Sequence, residues 1–259
     1  MSLPTEETLR LTLAAAARAL HARGWAANHD GNATARLGDG RLLCTPTAMS
    51  KAEVQPETLL VLDADGAVLS GSRRPMGELH LHRAAYAARR DIGVVLHSHP
   101  PHLCAFACAG IALPHPFLAE AVVSLGAEVP WVPAAAPGDP ALDAGLQAAL
   151  QTADVVVLGG HGLITVGGSP EQALLRMELV EHLARIAWLA LPMGGVKPLA
   201  EALVAKLCAK GRPASVPSFG EAPAAGSSKP ADPWRAAELP AARPDPRQVV
   251  VDALRRFGG

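Results

Sequence analysis

Two short apolar runs that each lead into histidine constrain the fold of this chain more than any other feature. Val94–Leu96 leads into His97-Ser98-His99, and Val155–Gly160 leads into His161. Unbroken valine and leucine runs of this length are typical of strands that are buried on both faces. Because side chains alternate along a strand, the two histidines of the first run point the same way, about 6–7 Å apart. The sequence therefore predicts two interior strands whose ends can bring three imidazoles together.

Three imidazoles at neighbouring strand ends are typical of a catalytic metal site. A single histidine is more often a satisfied core or surface residue, but packing alone does not explain three at these positions. Three protein ligands leave one coordination position open, as in catalytic zinc sites. Imidazole ligands without a thiolate favour Zn²⁺, with Mn²⁺, Co²⁺ and Fe²⁺ as alternatives. We therefore expect His97, His99 and His161 to bind a metal ion and the chain to be an enzyme.

The composition argues against several other classes of protein. With 23 basic and 24 acidic residues the formal net charge is −1, so no field of one sign attracts nucleic acid or anionic lipid. No run reaches the ~18 apolar residues of a membrane span, and Met1–Glu7 lacks the apolar segment of a signal peptide. The four cysteines show no CxxC spacing. We expect a cytoplasmic protein that acts on a small molecule, with neither nucleic acid nor a membrane as partner.

Helix and strand signals alternate along the first 191 residues. Turns at Gly38–Gly40 and Asp63–Gly66 join short strands into two predicted hairpins. The mixture of hairpins and strand–helix alternation argues against a purely parallel sheet. The predicted helices cover residues 5–23, 78–89, 100–109, 139–151 and 169–191, and the predicted strands cover residues 34–37, 41–44, 59–62, 67–69, 93–96, 155–158 and 164–166, with a further strand region at 122–132.

The composition changes towards the C-terminal end. Gly211–Arg247 is rich in proline, alanine, serine and glycine and has no hydrophobic periodicity. Gln248–Phe257 is then spaced like a short terminal helix. We expect one compact catalytic domain over residues 1–210 and a Pro/Ala-rich tail over residues 211–259.

Glu78 and two polar turns are candidate neighbours of the metal. If residues 78–89 form a helix, Glu78 and His82 lie one turn apart on the same face. A carboxylate beside a metal can act as a ligand or as a general acid or base, whereas without a metal Glu78 is an ordinary helix-start acid stabilised by the dipole. Gly31-Asn32 and Thr45–Thr47 lie in turns whose N–H groups and hydroxyls can bind an anion, although both also fit ordinary turns.

Six short motifs occur in a characteristic order over roughly residues 5–200. They are Asp30-Gly31-Asn32-Ala33-Thr34-Ala35-Arg36, Thr45-Pro46-Thr47, Gly77-Glu78, His82, His97-Ser98-His99-Pro100 and His161-Gly162-Leu163-Ile164. As a set, in this order and at these intervals, they resemble the class II aldolase/adducin family, typified by zinc-dependent sugar-phosphate aldolases.

The resemblance implies an architecture and a distribution of roles. It implies a three-layer α/β/α fold around a mixed, largely antiparallel sheet, and a homotetramer with active sites at subunit interfaces. It assigns zinc binding to the three histidines and acid–base chemistry to Glu78. It assigns binding of the substrate phosphate to Asn32, Thr47 and Ala48. Non-catalytic adducin-type relatives lose the metal histidines, which this chain retains.

Two departures from the family pattern concern the substrate. The sugar-phosphate aldolases carry two serines before the catalytic glutamate, where this chain has Met76 and Gly77. Ala48 stands where the family usually has glycine. Substrate binding would then depend on Asn32, Thr47 and backbone N–H groups, with Gly77 and Ala48 among the binding positions, which weakens the case for a phosphorylated substrate.

The proton donor of the aldolases is also missing. Those enzymes use a tyrosine from a neighbouring subunit, but Tyr86, the single tyrosine of this chain, lies within a predicted helix at a packing position. His115 or Glu120, in the corresponding loop, are candidate replacements, although each also fits an ordinary surface loop.

These expectations lead to a ranked set of functions. The first is a metal-dependent lyase that cleaves or forms a C–C bond next to the carbonyl of a small hydroxy-carbonyl substrate, by (retro-)aldol chemistry through a metal-stabilised enediolate. The second is a decarboxylase of an oxo-acid or an aromatic carboxylate on the same fold, and the third is a sugar-phosphate dehydratase. A non-catalytic, adducin-like interaction domain is the alternative from a different class.

Overall fold

The computed structural model describes residues 4–136 and 138–211 of the chain. Within this part, strands and helices alternate much as the sequence predicts. The helices are α1 (Glu6–Ala22), α2 (Leu79–Ala88), α3 (Pro101–Ala109), α4 (Ala119–Leu125), α5 (Pro140–Leu150), α6 (Pro170–Ala190) and α7 (Glu201–Lys210). The strands are β1 (Asn32–Arg36), β2 (Leu42–Cys44), β3 (Leu60–Leu62), β4 (Val68–Ser70), β5 (Val94–Ser98), β6 (Trp131–Val132), β7 (Val155–Leu158) and β8 (Gly162–Gly167).

The described strands form a single mixed sheet in the order β4-β3-β2-β1-β5-β8-β7-β6. Six of the seven pairings are antiparallel, and only β6 runs parallel to its neighbour β7. Both hairpins that the turn signals predict are present, since β1 pairs with β2 and β3 pairs with β4. The mixed, largely antiparallel sheet is therefore confirmed.

Each face of the sheet is covered by helices, which gives three layers. Alternate residues of β5 point to opposite faces: Val94 and Leu96 enter one core and Val95 enters the other. The first core is completed by α1, α3 and α6, for example through Leu13 of α1. The second is completed by α2 and α5, for example through Leu146 of α5. Burial on both faces explains why the central strands are continuously apolar in sequence.

Register in the middle of the sheet determines what lies beside the histidines. His97 of β5 pairs with Asn32 of β1 on one side and with Ile164 of β8 on the other. β7 and β8 form a hairpin whose turn contains His161, the backbone N–H of which donates to the Leu158 carbonyl at 3.1 Å. The end of β5, the start of β1 and this turn therefore meet at one edge of the sheet.

The prediction of a strand region over residues 122–132 is wrong for most of its length. Residues 119–125 form α4, and strand structure is limited to Trp131–Val132. The residues of α4 that are buried are Ala121, Val122 and Leu125, which is helical rather than alternating spacing. The two adjacent β-branched valines suggested a strand, but burial of one helix face outweighed that local preference.

The tail and its terminal helix lie outside the described residues, which end at Gly211. The last described helix, α7, packs against α4. None of the helices in the described ranges is long and apolar enough to cross a membrane.

Candidate metal centre

Three imidazoles converge at the end of the central strand. His97 lies near the end of β5, His99 follows that strand, and His161 lies in the β7–β8 turn. One ring nitrogen from each lies within 4.8 Å of the others, and the Nε2 atoms of His97 and His99 are 3.1 Å apart. The ring centroids are 4.7–5.2 Å from one another. The structure thus brings together the three histidines that the sequence predicts as one set.

A backbone carbonyl fixes the orientation of His97. The Nδ1 atom of His97 lies 3.1 Å from the carbonyl oxygen of Leu163 on β8. Because a carbonyl only accepts, Nδ1 carries the hydrogen, and the lone pair of the neutral ring lies on Nε2. That nitrogen faces the other two histidines. Donation from the second ring nitrogen to a carbonyl is the usual way in which a metal-binding histidine is oriented.

Burial favours the neutral, metal-binding form of His97 and His99. Burial lowers the pKa of His97 to about 4, with the charges of His161 and His99 acting in the same direction and Glu78 opposing them. Burial, followed by the charge of His161, also lowers the pKa of His99. Since only a deprotonated nitrogen can bind a cation, His97 and His99 are ready to bind one at neutral pH.

Close packing at this edge requires a glycine at position 162. A Cβ atom added to Gly162 would lie 2.6 Å from the Ser98 carbonyl oxygen and 2.6 Å from Cδ2 of His99. It would also approach Cε1 of His97 at 3.2 Å. Contacts under 3.0 Å force the neighbours to move, and here the neighbours are strand backbone and a candidate ligand. The histidine–glycine pair in the turn is therefore needed for the three rings to approach each other.

Glu78 lies against the imidazoles and does not cap the helix that it precedes. It occupies the N-cap position of α2 but its side chain makes no capping hydrogen bond. Its Oε1 is 2.8 Å from Nε2 of His161, and its Oε2 is 3.4 Å from Nε2 of His97. Asn32 Nδ2 donates to Oε2 at 2.6 Å. These contacts fit a general acid or base beside a metal ion better than an acidic residue that only stabilises a helix N-terminus.

The surroundings of Glu78 keep its carboxyl group ionised. Burial by itself would raise the pKa of Glu78, but the hydrogen bond with His161, the charge of His97 and the hydrogen bond from Asn32 together lower it well below the ordinary value. At neutral pH the group is a carboxylate that can accept a hydrogen bond or a proton.

His82 reaches this site through Asn32. It is fully buried on α2, and its Nε2 lies 2.6 Å from Oδ1 of Asn32. Its Nδ1 lies 2.8 Å from the hydroxyl of Thr34, which in turn is 2.9 Å from the hydroxyl of Tyr86. Among the described residues, no hydrogen bond or ion pair joins His82 to the three histidines. The sequence placed Glu78 and His82 on one helix face, but Thr34 and Tyr86 carried no signal of belonging to the same network.

The loops predicted to bind the substrate lie side by side. The backbone N–H of Thr47 donates to the Arg74 carbonyl at 3.0 Å, and Pro46 forms a β-bridge with Pro75, just before Gly77. Ala48 has a φ of 53°, in the left-handed region that favours glycine, which explains why glycine is usual here in the family. Gly77 has open space where a Cβ would lie.

Met76 contributes no polar group to these loops. Its side chain is buried in the core between the sheet and α2. Its sulfur lies 4.0 Å from the hydroxyl of Thr45. Thus one of the two positions where the aldolases carry serine faces the interior in this chain.

The two candidate proton donors lie near α4, without a contact to Glu78 or to the three histidines in the described structure. Nε2 of His115 donates to the Gly126 carbonyl at 2.8 Å, and its Nδ1 is buried without a hydrogen-bond partner in the described part of the chain. Burial lowers the pKa of His115. Glu120 is exposed in the first turn of α4. Their proposed role in a neighbouring subunit's site stays a prediction.

Two further residues border the site and were missed from the sequence. Oδ2 of Asp30 lies 3.8 Å from Nδ1 of His99. Lys51 is 1% exposed, and its ammonium donates to the His29 and Met49 carbonyls at 2.9 Å each, which ties the Asp30 loop to the loop after Thr47. Nothing in the local sequence marks a lysine for burial, so Lys51 could not be identified from the sequence.

Comparison with known proteins points to one family. The sequence profile described as "Class II Aldolase and Adducin N-terminal domain" matches residues 11–188. This range contains every residue of the metal centre and of the two neighbouring loops.

The similar proteins include both decarboxylases and aldolases. A 3-oxo-tetronate 4-phosphate decarboxylase of Cupriavidus necator is 31% identical over 220 residues, which cover 79% of this chain and 100% of that protein. A 5-methylthioribulose-1-phosphate/5-deoxyribulose-1-phosphate aldolase of Rhodospirillum rubrum is 31% identical over 185 residues, covering 70% of this chain and 80% of the other. The crystal structure of YgbL from Klebsiella pneumoniae superposes with a TM-score of 0.73 and 30% identity, covering 79% of this chain and 99% of YgbL.

Proposed function

The chain belongs to the class II aldolase and adducin family, and we propose that it is a carbon–carbon lyase that decarboxylates a small 3-oxo acid carrying a phosphate group. The observation that carries the proposal is an ionised Glu78 held 2.8 Å from His161 beside the imidazole cluster. Tyr86, the only tyrosine of the chain, is buried and hydrogen-bonded to Thr34. Similarity to a decarboxylase over that protein's whole length supports this choice of reaction.

We propose that His97, His99 and His161 hold a divalent cation, with Zn²⁺ first and Mn²⁺, Co²⁺ or Fe²⁺ as alternatives. The donor set fits, because three ring nitrogens lie within 4.8 Å of one another and His97 is oriented by the Leu163 carbonyl. When bound, the cation supplies positive charge that polarises the substrate carbonyl and stabilises negative charge on its oxygen.

We assign the proton transfer and the phosphate binding of a decarboxylase to groups already at the site. When CO₂ leaves, the electron pair of the broken bond stays on the substrate, and one proton must then be added to carbon. Glu78, ionised before the reaction, can take a proton from a substrate hydroxyl and deliver it to that carbon, and water then returns a proton to the hydroxyl oxygen, so that the one proton consumed comes from solvent. The loops that contain Thr47, Ala48 and Gly77 offer backbone N–H groups to the phosphate, and Asn32 adds an amide donor.

Retro-aldol cleavage is the second candidate, and similarity to the aldolase of Rhodospirillum rubrum favours it. In that reaction Glu78 would remove the proton from the hydroxyl next to the breaking bond. The two reactions share the cation, the carboxylate and the phosphate loops, and they differ in the fragment released. A decarboxylase releases CO₂, whereas an aldolase releases an aldehyde.

The test is a comparison of two substrates with metal-loaded protein. One assay follows CO₂ release from 3-oxo-tetronate 4-phosphate, and the other follows aldehyde release from 5-deoxyribulose 1-phosphate. We expect CO₂ release to have the higher kcat/KM. Faster aldehyde release would replace the first proposal with the second, and metal-loaded protein inactive in both assays would overturn both.

Metal removal tests the centre independently of the substrate. We expect metal analysis to find about one cation per chain, since one such cluster is present in the described residues. A cation at about a thousand times its Kd stabilises the folded state by about 4 kcal/mol, and at this chain length each kcal/mol shifts Tm by about 2–4 °C. Chelation should therefore lower Tm by about 10 °C. If the protein is isolated without metal and chelators do not change its Tm, the non-catalytic, adducin-like alternative is favoured instead.

We propose that the protein assembles as a homotetramer with its active sites at subunit interfaces, as the family resemblance implies. His115 or Glu120 of a neighbouring subunit would then supply the proton that the aldolases take from tyrosine. Light scattering during size-exclusion chromatography measures the mass directly, and a monomer would contradict the proposal.

A cytoplasmic location is also proposed, and it is supported by the four cysteines being unpaired.

A further inference from the structure

A buried chain of hydrogen bonds runs from the candidate acid–base residue into the interior. Glu78 Oε2 accepts from Asn32 Nδ2 at 2.6 Å, and Asn32 Oδ1 lies 2.6 Å from His82 Nε2. His82 Nδ1 lies 2.8 Å from the Thr34 hydroxyl, and that hydroxyl lies 2.9 Å from the hydroxyl of Tyr86. The residues behind Glu78 are all buried, and Thr34 and His82 are fully so.

The direction of each hydrogen bond in this chain can be deduced. An ionised Glu78 only accepts, so the Asn32 amide turns its nitrogen towards Glu78 and its oxygen towards His82. An amide oxygen also only accepts, so His82 must carry a hydrogen on Nε2. Burial, followed by the charge of His97, lowers the pKa of His82 to about 3, so the neutral ring has a bare Nδ1 that accepts from Thr34. The Thr34 oxygen in turn accepts from Tyr86, whose hydroxyl lies closer to Thr34, at 2.9 Å, than to the Gly93 carbonyl, at 3.5 Å.

We infer that His82 is a positioning residue for Glu78: its Nε2–H holds the Asn32 amide in the one orientation that donates to the carboxylate. This inference rests on the proposed acid–base role of Glu78. Without a donor at His82, the Asn32 oxygen has no anchor, so the amide can tilt and its hydrogen bond to Glu78 loosens. The carboxylate would then shift away from His161 and His97. Thr34 acts one step further back, by fixing which nitrogen of His82 carries the hydrogen.

A purely structural role for His82 makes a different prediction. A buried histidine with two hydrogen bonds stabilises the fold wherever it lies, so its loss would lower Tm without changing the turnover of the protein that remains folded. A positioning role lowers kcat while the metal stays bound, because the ligands are His97, His99 and His161. Displacement of a reacting group by about 1 Å costs about 100-fold in rate.

The variants His82→Leu and His82→Gln separate these roles in the full-length, metal-loaded protein. Leucine fills the space and donates nothing, whereas the glutamine amide can place an N–H near the position of Nε2. We expect His82→Leu to lower kcat for the proposed substrate by about 10- to 100-fold, with about one metal per chain and KM little changed. We expect His82→Gln to recover most of the lost kcat although its Tm stays low.

Two buried threonines provide a matched pair of controls. Thr34 and Thr165 are both fully buried in central strands, but the hydroxyl of Thr165 donates to the Ala173 carbonyl, away from the chain. Thr34→Val and Thr165→Val should lower Tm by similar amounts. Only Thr34→Val should lower kcat. Equal kcat in the two threonine variants, or a folded, metal-loaded His82→Leu with wild-type kcat, would overturn the inference.

A readout without any substrate keeps this inference separate from the proposed function. Nitrogen NMR of protein with ¹⁵N-labelled histidine distinguishes a protonated Nε2 from a bare one. We expect His82 to show the hydrogen on Nε2 and a bare Nδ1 at neutral pH. The opposite tautomer would contradict the inference even if CO₂ release were observed. The expected tautomer in a protein inactive towards both substrates would support the hydrogen-bond order while the proposed function failed.

Discussion

The carboxylate of Glu78 is bound to other side chains on both of its oxygens. One oxygen contacts His161, and the other accepts from Asn32 and faces His97. Such a group is held in place without being neutralised, because its pKa stays below the ordinary value. Fixing the side chain in advance removes the cost of ordering it during the reaction.

Replacement of this carboxylate should separate metal binding from turnover. We predict that Glu78→Gln keeps about one metal per chain, because the three histidines remain, while kcat falls by about 100- to 10,000-fold with the loss of acid–base catalysis. Metal analysis and turnover on the same sample provide the measurement. Glu181→Gln is the matched control, because Glu181 also contacts a histidine, His102, at 2.7 Å but binds the first turn of α3 rather than the three imidazoles. Full activity in Glu78→Gln would refute the assigned role.

The glycine beside the histidines permits a second test at the scale of one residue. We predict that Gly162→Ala weakens metal binding by about 10- to 100-fold, because the added Cβ would collide with the Ser98 carbonyl and the ring of His99. Titration with Zn²⁺ gives the affinity. Gly168→Ala serves as control just beyond the other end of β8, since its nearest neighbour within reach is a Gln172 side-chain atom at 3.7 Å. An affinity equal to that of the wild type would show that this edge tolerates a side chain.

How far the sequence predicts the site depends on how local each contact is. Alternation along one strand was sufficient to place His97 and His99 together, and helical spacing was sufficient for Glu78 and His82. The contact between Asn32 and His82 depends on β1 lying beside β5 and on α2 packing over both, which no short stretch of sequence encodes. Lys51 was missed for the same reason, since its acceptors are carbonyls on two loops.

Among the elements, those with an uninterrupted pattern were predicted best. Strands β5 and β7 are buried on both faces, so apolar content alone identifies them. Helices α1 and α6 begin with side-chain caps from Thr5 and Ser169, which the sequence shows directly. The short helix α4 has no such side-chain cap, and its adjacent valines mimic a strand. There the packing against α6 and α7 decided the structure.

A buried ion network joins three elements at the opposite side of the fold from any predicted site. Asp154, just before β7, contacts Arg89 at the end of α2 and Arg176 of α6, each at 2.6 Å. Arg89 also contacts Asp91 at 2.6 Å. Because the side chain of Asp154 is 2% exposed, water cannot replace a lost partner there.

Removal of the shared charge should therefore destabilise the fold without affecting the metal. We predict that Asp154→Asn lowers the free energy of unfolding by about 3 kcal/mol, because two arginines lose a buried partner. Urea denaturation measures the change. Glu178→Gln, which removes the exposed pair with Arg23, should leave the midpoint nearly unchanged. Similar midpoints for the two variants would mean that solvent reaches the network.

At the scale of the whole molecule, the two cores and the metal centre depend on one sheet. The helices above and below it bury the strands, and the same strands bring histidines, an amide and a carboxylate to one edge. Folding buries His97 and His82 within this arrangement and lowers the pKa of each. Unfolding is therefore coupled to protonation of these two side chains.

The last prediction follows from that coupling and concerns the metal-free protein. Burial lowers the pKa of His97 to about 4 and that of His82 to about 3, from an ordinary value of 6.5. Between the ordinary pKa and the lowered pKa of each histidine, the unfolded chain binds a proton that the folded protein does not. The free energy of unfolding is therefore highest above pH 6.5 and falls as the pH is lowered towards 4. Each histidine contributes a loss of up to about 1.4 kcal/mol per pH unit.

Urea midpoints of the metal-free protein at several pH values between 7 and 4.5 would measure this slope. His97→Gln should make the slope shallower, because glutamine does not take up a proton when the chain unfolds. Below the ordinary pKa of Glu78, 4.5, that carboxylate adds to the loss, since its folded-state pKa is also lowered. A stability that stays constant over this range would show that both histidines take up protons in the folded protein as readily as in the unfolded chain, which would contradict their lowered pKa values.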